Sequence, residues 1–171
     1  MPHISNEKKN LNRLAGEFLV ASRFTQRGYM VSLQWGTTIG YDILVFDKSG
    51  NVAFIEVKTT VSYPKVWALQ TKYANPRTDA IPEDRRFVAC VDMTAPDHES
   101  QVYIFPVRVV AEGLKYYFNN SFPNSKTLNL PLEKKPQGHT KDPMALTLGE
   151  HIEAKKYLEN YEVVGIKRLE E

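Results

Sequence analysis

Two apolar runs separated by a short polar turn constrain the fold more than any other feature of this chain. The first run covers residues 41–47 and the second covers residues 52–60, with a Lys-Ser-Gly-Asn turn between them. This pattern is typical of a β-hairpin. Side chains alternate between the two faces of a strand, so Glu56 and Lys58 are expected on one face, and Ile55 and Val57 on the other.

The length of the hairpin loop decides whether Asp42 joins that face. A three-residue loop at 49–51 pairs Lys48 with Val52 and places Asp42 opposite Lys58. A four-residue loop instead opposes Asp42 to Val57 and turns it to the wrong face. We therefore expect an odd loop or a bulge near Gly50.

The residue types on this face predict a metal-dependent phosphodiesterase site. Mg²⁺ prefers oxygen ligands and is usually held by one or two carboxylates plus substrate phosphate oxygens, a task that suits Asp42 and Glu56. A lysine such as Lys58 can orient water or offset developing negative charge. Glu17 adjoins a predicted apolar helix face formed by residues 11, 14, 18, 21 and 24, so it is expected to reach the same pocket.

These segments resemble a known superfamily. The residues that carry the resemblance are Gly16-Glu17, Gly28-Tyr29-Met30-Val31, Tyr41-Asp42 and Ile55-Glu56-Val57-Lys58-Thr59-Thr60. Together they look like the PD-(D/E)XK nuclease superfamily, which includes restriction endonucleases and archaeal Holliday junction resolvases. The resemblance implies an α/β fold with a restriction endonuclease-like core, in which α-helices flank a central mixed β-sheet. Tyr41 stands where the superfamily pattern has proline.

The resemblance also implies an activity and its residues. The implied catalytic residues are Glu17, Asp42, Glu56 and Lys58, and the implied metal ligands are Asp42, Glu56 and Val57. The implied protein is a Mg²⁺-dependent DNA endonuclease in which Mn²⁺ can substitute for Mg²⁺. The alternatives are a catalytically inactive nuclease-like protein that binds DNA or acts as a scaffold, and a nuclease that cuts RNA. One such site cuts one strand, so a homodimer is expected, and a separate partner subunit is an alternative source of specificity.

Gln70 and Lys72 are candidate accessory residues. They alternate with Trp67, Leu69 and Tyr73, as in a half-buried strand. A solvated strand face is the favoured interpretation, and an extension of the pocket is the alternative.

Composition is consistent with one globular domain over residues 1–171. The chain has 171 residues, of which 42% are hydrophobic, enough to bury a core. The net charge is only +2, so DNA binding would require clustered basic residues. The candidate clusters are Lys8, Lys9 and Arg13; Arg77, Arg85 and Arg86; and Lys126, Lys134, Lys135 and Lys141.

Cysteine content and hydropathy suggest a cytoplasmic protein. The one cysteine, Cys90, excludes an intramolecular disulfide and lies in an apolar run, where it is expected to act as a small hydrophobic residue. No apolar stretch reaches transmembrane length, so no membrane contact is expected, and the N-terminus lacks the apolar core of a signal peptide.

The periodicities predict the order of the elements. A helix is expected over 7–27, followed by strands over 29–34, 41–47, 52–60, 66–73, 87–93 and 102–105, and a helix over 107–118. This core of about 7–118 is followed by an irregular loop over 121–143 and a final helix over about 148–160, which Thr147 and Glu150 begin with capping-box spacing.

Overall fold

A computed structural model describes residues 5–34, 40–75, 81–96 and 99–170. Its helices are α1 (Asn6–Gln26), α2 (Val107–Tyr117) and α3 (Leu148–His151). Its strands are β1 (Met30–Leu33), β2 (Ile43–Phe46), β3 (Val52–Thr60), β4 (Trp67–Gln70), β5 (Arg86–Asp92), β6 (Gln101–Pro106) and β7 (Thr127–Leu130). Short 3₁₀ helices cover Thr71–Ala74, Glu83–Arg85, Ala154–Tyr157 and Tyr161–Val164.

A mixed sheet forms the centre of the fold. Within the described residues it has five strands in the order β1-β2-β3-β5-β6, with β3 parallel to β5 and the other neighbours antiparallel. One face packs against α1, and the other packs against α2 and the separate β4–β7 pair. The predicted fold class, a mixed sheet flanked by helices, is confirmed.

Helix α1 buries a face that overlaps the predicted one at Ala21 and Phe24 but differs from it nearer the start of the helix. Ser5 caps its start by accepting a hydrogen bond from the backbone N–H of Lys8. The buried residues are Gly16, Glu17, Val20, Ala21 and Phe24, whereas the predicted core residues Leu11 and Phe18 are 66% and 48% exposed. Gly16 explains why this face is buried, because α1 approaches β3 so closely there that a Cβ at Gly16 would lie 2.0 Å from Oγ1 of Thr59. Glu17 therefore lies within the buried face.

The β2–β3 hairpin has the expected odd loop but a different register. Phe46 pairs with Val52 and Ile43 pairs with Ile55, so the predicted pairing of Lys48 with Val52 is wrong. The register shifts because Asp47 closes the turn: its carboxylate accepts hydrogen bonds from the backbone N–H groups of Ser49 and Asn51. The ladder ends at the pair of Ile43 with Ile55, and the backbone N–H of the next residue, Asp42, donates to the carbonyl of the same Ile55. Because the register differs from the predicted one by two residues, the paired residues of β2 keep their predicted faces.

The segment predicted as a strand over 66–73 changes conformation at its midpoint. Strand β4 ends at Gln70 and pairs with β7, and the chain then forms the 3₁₀ helix at Thr71–Ala74. Lys72 therefore lies on a 3₁₀ turn, which contradicts its predicted strand position. Strand β7 also falls within 121–143, which was predicted to be irregular throughout; Leu128 and Leu130 on its inner face are buried.

The C-terminal helix is shorter than predicted. The capping box between Thr147 and Glu150 is present, but α3 ends at His151 and the chain continues as a 3₁₀ helix at Ala154–Tyr157. The interruption is at Glu153, whose φ of 50° is left-handed and cannot continue an α-helix. In the described parts of the chain, no helix is both long enough and apolar enough to span a membrane.

Candidate active site

Asp42 is held at the point where β2 begins. Its backbone N–H donates to the carbonyl of Ile55 at 2.9 Å, and its Oδ2 accepts from the backbone N–H of Val57 at 2.7 Å. The side chain of Val57 is buried in the apolar cluster beneath α1. Val57 thus contributes a backbone group here, and its predicted part in metal binding remains a prediction.

Glu56 and Lys58 emerge together on the opposite face of β3. On the neighbouring strand β5, Glu56 pairs with Val88 and Lys58 pairs with Cys90. The side chains of Val88 and Cys90 belong to the apolar cluster on the α2 side of the sheet. Glu56 is only 7% exposed, and its Oε1 lies 2.5 Å from Nζ of Lys58. This ion pair joins a buried carboxylate to an ammonium that is partly exposed.

Two residues of the Thr71–Ala74 turn reach the same carboxylate. The hydroxyl of Tyr73 donates to Oε2 of Glu56, and Nζ of Lys72 lies 3.7 Å from that oxygen.

Gln70 is exposed on β4. Of the two candidate accessory residues, Lys72 is the one placed beside Glu56. Tyr73 had no sequence signal, because its alternation with Trp67 and Leu69 marks it only as a core residue.

Glu17 approaches the site from α1. It is 4% exposed, and its Oε1 lies 2.5 Å from Nη1 of Arg13 one helical turn earlier. Burial raises the pKa of Glu17, and the negative charge of nearby Asp42 raises it further, while Arg13 acts in the opposite direction. The two carboxyl groups are therefore electrostatically coupled although they come from different layers of the fold.

Burial also raises the pKa of Asp42. The hydrogen bond from Val57 and the charge of Lys58 oppose this rise, and the charge of Glu56 adds to it. Buried carboxylates that are short of positive charge are costly unless a cation or a hydrogen bond offsets them. The hydrogen bond from Val57 and the charge of Lys58 thus offset part of the cost of ionising Asp42.

The donor set fits a hard, partly hydrated cation. Among the described residues, no group of three or more His, Cys, Asp or Glu side chains is arranged to hold a metal ion. A closed zinc site needs four such ligands. Mg²⁺ instead binds through one or two carboxylates and keeps several waters. Asp42 and Glu56 are the residues at this site that could serve as such ligands.

A basic groove of about 310 Å³ opens beside the site. Lys9, Asn12 and Arg13 of α1 line one side, and Lys58 and Ser62 are among the residues on the other. Of the predicted basic clusters, the one at the start of α1 therefore reaches the groove, through Lys9 and Arg13. In the second cluster Arg86 is only 3% exposed, which corrects its prediction as a surface cation, and Arg77 lies outside the described residues.

Residues 14–73 match the family model described as Protein NO VEIN, C-terminal. The match covers just over a third of the chain. It includes all four predicted catalytic residues and ends at Tyr73. No curated protein sequence matches the chain.

Three solved structures are similar to the chain, each at 14% sequence identity. The bacterial homing endonuclease I-Ssp6803I has a TM-score of 0.48, with 91% of this chain and 91% of that chain covered. The Holliday junction resolvase Hjc from the archaeon Archaeoglobus fulgidus has a TM-score of 0.43, with 82% and 95% covered. D212, a nuclease from a fusselovirus, has a TM-score of 0.42, with 90% and 93% covered.

Proposed function

We propose that this protein is a Mg²⁺-dependent DNA endonuclease that hydrolyses phosphodiester bonds. The observation that supports the proposal most directly is the placement of Asp42, whose carboxylate is bonded to the backbone of Val57, the residue between Glu56 and Lys58. Lys58 is paired with Glu56, and Glu17 is coupled to Asp42 through its charge. Three acids and a lysine thus meet where the hairpin opens.

Three of these side chains have roles that follow from their positions. Asp42 and Glu56 would hold the cation. When bound, Mg²⁺ would polarise a phosphate oxygen and lower the pKa of a water molecule. Lys58 would place positive charge beside the phosphorus as negative charge develops on its oxygens. The water oxygen would form a new bond to phosphorus, the bond to the leaving sugar oxygen would break, and that oxygen would take up a proton.

The basic groove supports a nucleic-acid substrate. Lys9 and Arg13 lie along its α1 side, close to Lys58. Phosphate contacts of this kind position a duplex without reading its sequence. Cutting both strands would require two copies of the site, so we propose a homodimer or a partner subunit, and sedimentation with and without DNA would distinguish a dimer from a monomer.

A cleavage assay with matched lysine variants tests the proposal. Labelled linear, nicked, single-stranded and four-way DNA, with RNA in parallel, would be incubated with Mg²⁺, Mn²⁺ or EDTA. We expect wild-type cutting with metal alone and its loss in Lys58→Ala. Lys156→Ala is the control, because Lys156 also pairs with a glutamate, Glu153, but both partners are exposed.

The outcomes separate the alternatives. Full activity in Lys58→Ala would contradict the proposed site. No cutting by the wild type, combined with no Mn²⁺ binding in calorimetry and with retained DNA binding, would favour an inactive nuclease-like protein. Cleavage confined to RNA would change the substrate and leave the metal site in place.

A further inference from the structure

Tyr73 is hydrogen-bonded to a carboxylate that is proposed to bind a cation. It is 1% exposed, and its hydroxyl donates to Oε2 of Glu56. Lys58 pairs with the other oxygen, Oε1. The two oxygens of Glu56 are therefore held from two directions by different parts of the fold.

The position of the hydroxyl is set by packing around the Tyr73 ring. The ring belongs to the same apolar cluster as Trp67, Leu69 and Val88. The guanidinium of Arg86 lies 5.7 Å from the ring centroid, within the range of a cation–π contact. The β4–β7 pairing fixes the chain just before the turn that carries Tyr73. The donor is thus preorganised by the core.

A hydrogen bond in this position leaves room for a cation. An ionised carboxylate has about four lone-pair sites, so one donor on Oε2 does not exhaust its capacity. Hydrogen-bond donors behind a metal-binding side chain fix its orientation, and their removal typically lowers metal affinity or activity about 10- to 100-fold.

We infer that Tyr73 is a positioning residue that orients the Glu56 carboxylate for a divalent cation. The inference rests on the proposed function, because it assigns Tyr73 a part in that same site. Tyr73 acts through Glu56 and does not touch the substrate. A purely structural role would instead satisfy two buried polar groups and leave cation binding unchanged.

Calorimetric titration of the full chain with Mn²⁺ alone distinguishes these roles. The test variant is Tyr73→Phe, which keeps the ring and removes the hydroxyl. The control is Tyr161→Phe, because the hydroxyl of Tyr161 also bonds a glutamate, Glu159, at 3.2 Å, but within the apolar cluster on the other side of the sheet. We expect a dissociation constant for Mn²⁺ about 10- to 100-fold higher in Tyr73→Phe and unchanged in Tyr161→Phe.

The metal dependence of cleavage supplies a second measurement. Tyr73→Phe should need a higher Mn²⁺ concentration for half-maximal cutting and should regain most of the wild-type rate at saturating Mn²⁺. Melting of each metal-free variant, with titrations repeated in sucrose to stabilise the folded chain, excludes unfolding as the cause.

The results distinguish failure of the inference from failure of the proposed function. If the wild type binds Mn²⁺ and Tyr73→Phe binds it equally well, the inference is overturned and the nuclease proposal stands. If the wild type neither binds Mn²⁺ nor cuts any substrate, the proposed function itself fails, and the inference fails with it.

Discussion

The backbone N–H of Val57 donates to Oδ2 of Asp42 at 2.7 Å, joining the start of β2 to the middle of β3. This contact fixes the Asp42 carboxylate by means of the sheet itself. Val57 is buried on the α1 side, so the bond depends on the backbone and not on the Val57 side chain. Loss of charge at Asp42 can therefore be tested without removing the hydrogen bond.

Asp42→Asn should abolish cleavage without destabilising the metal-free protein. Asparagine can still accept the Val57 N–H, and burial has already raised the pKa of Asp42, so the neutral side chain removes a costly charge. We expect an equal or higher melting temperature in EDTA, and no increase with added Mg²⁺. Scanning calorimetry with and without Mg²⁺ measures both effects. A clear fall in stability in EDTA would contradict this account.

Gly16→Ala should destabilise the fold. The new Cβ would lie 2.0 Å from Oγ1 and 3.2 Å from Cβ of Thr59, so rotation of the hydroxyl alone does not relieve the contact. Overpacking costs about 1–3 kcal/mol, which exceeds the helix-propensity gain of about 1 kcal/mol from alanine. Urea unfolding measures the difference in the free energy of unfolding between the wild type and Gly16→Ala. In a Thr59→Ala background, Gly16→Ala should lower the free energy of unfolding by less. An equal loss in both backgrounds would exclude this clash as the cause.

Asp47→Ala should reduce both stability and cleavage, although Asp47 is remote from the chemistry. Its carboxylate accepts from two backbone N–H groups and from the side chain of Asn51. These bonds close the Lys48–Ser49–Gly50 turn that sets the register of β2 against β3 and so positions Asp42 at the start of β2. We expect a lower melting temperature together with a lower cleavage rate. A variant with a lower melting temperature but the wild-type cleavage rate would show that the turn is not needed to set the register.

The Lys65–Asp92 pair should stabilise the protein in a pH-dependent manner. Nζ of Lys65 lies 2.7 Å from Oδ2 of Asp92. Burial raises the pKa of Asp92, but the bonds from Lys65 and Thr94 outweigh it and leave the pKa below its ordinary value. The stabilisation is therefore fully present above the ordinary aspartate pKa and is lost as the pH falls through the lower pKa of the folded state.

Asp92→Asn tests this dependence. Because Lys65 is partly exposed, we expect a loss of about 1–2 kcal/mol at neutral pH, below the cost of breaking a fully buried pair. The variant should also show a smaller fall in stability than the wild type between about pH 5 and pH 2. Urea unfolding across that range measures both. Glu153→Gln, which disrupts an exposed pair, is the control and should change stability little.

Local periodicity was enough to predict much of the secondary structure and the shared face of two candidate site residues. The helix predicted over 7–27 is found at Asn6–Gln26, and the strand predicted over 52–60 is found at Val52–Thr60. The common face of Glu56 and Lys58 follows from the period of two in a strand. The odd hairpin loop was also predicted, although its register differs from the predicted one by two residues. These features depend on neighbouring residues along the chain.

Tertiary packing decided the rest. The buried face of α1 depends on the approach of Gly16 to Thr59, and the turn carrying Tyr73 follows the pairing of β4 with β7. Local hydrophobic patterns predict neither contact, because both contacts join residues that are far apart in the chain. The residue types of the candidate site could therefore be recognised from the sequence, whereas the hydrogen bond from Tyr73 to Glu56 required the folded core that brings the two together.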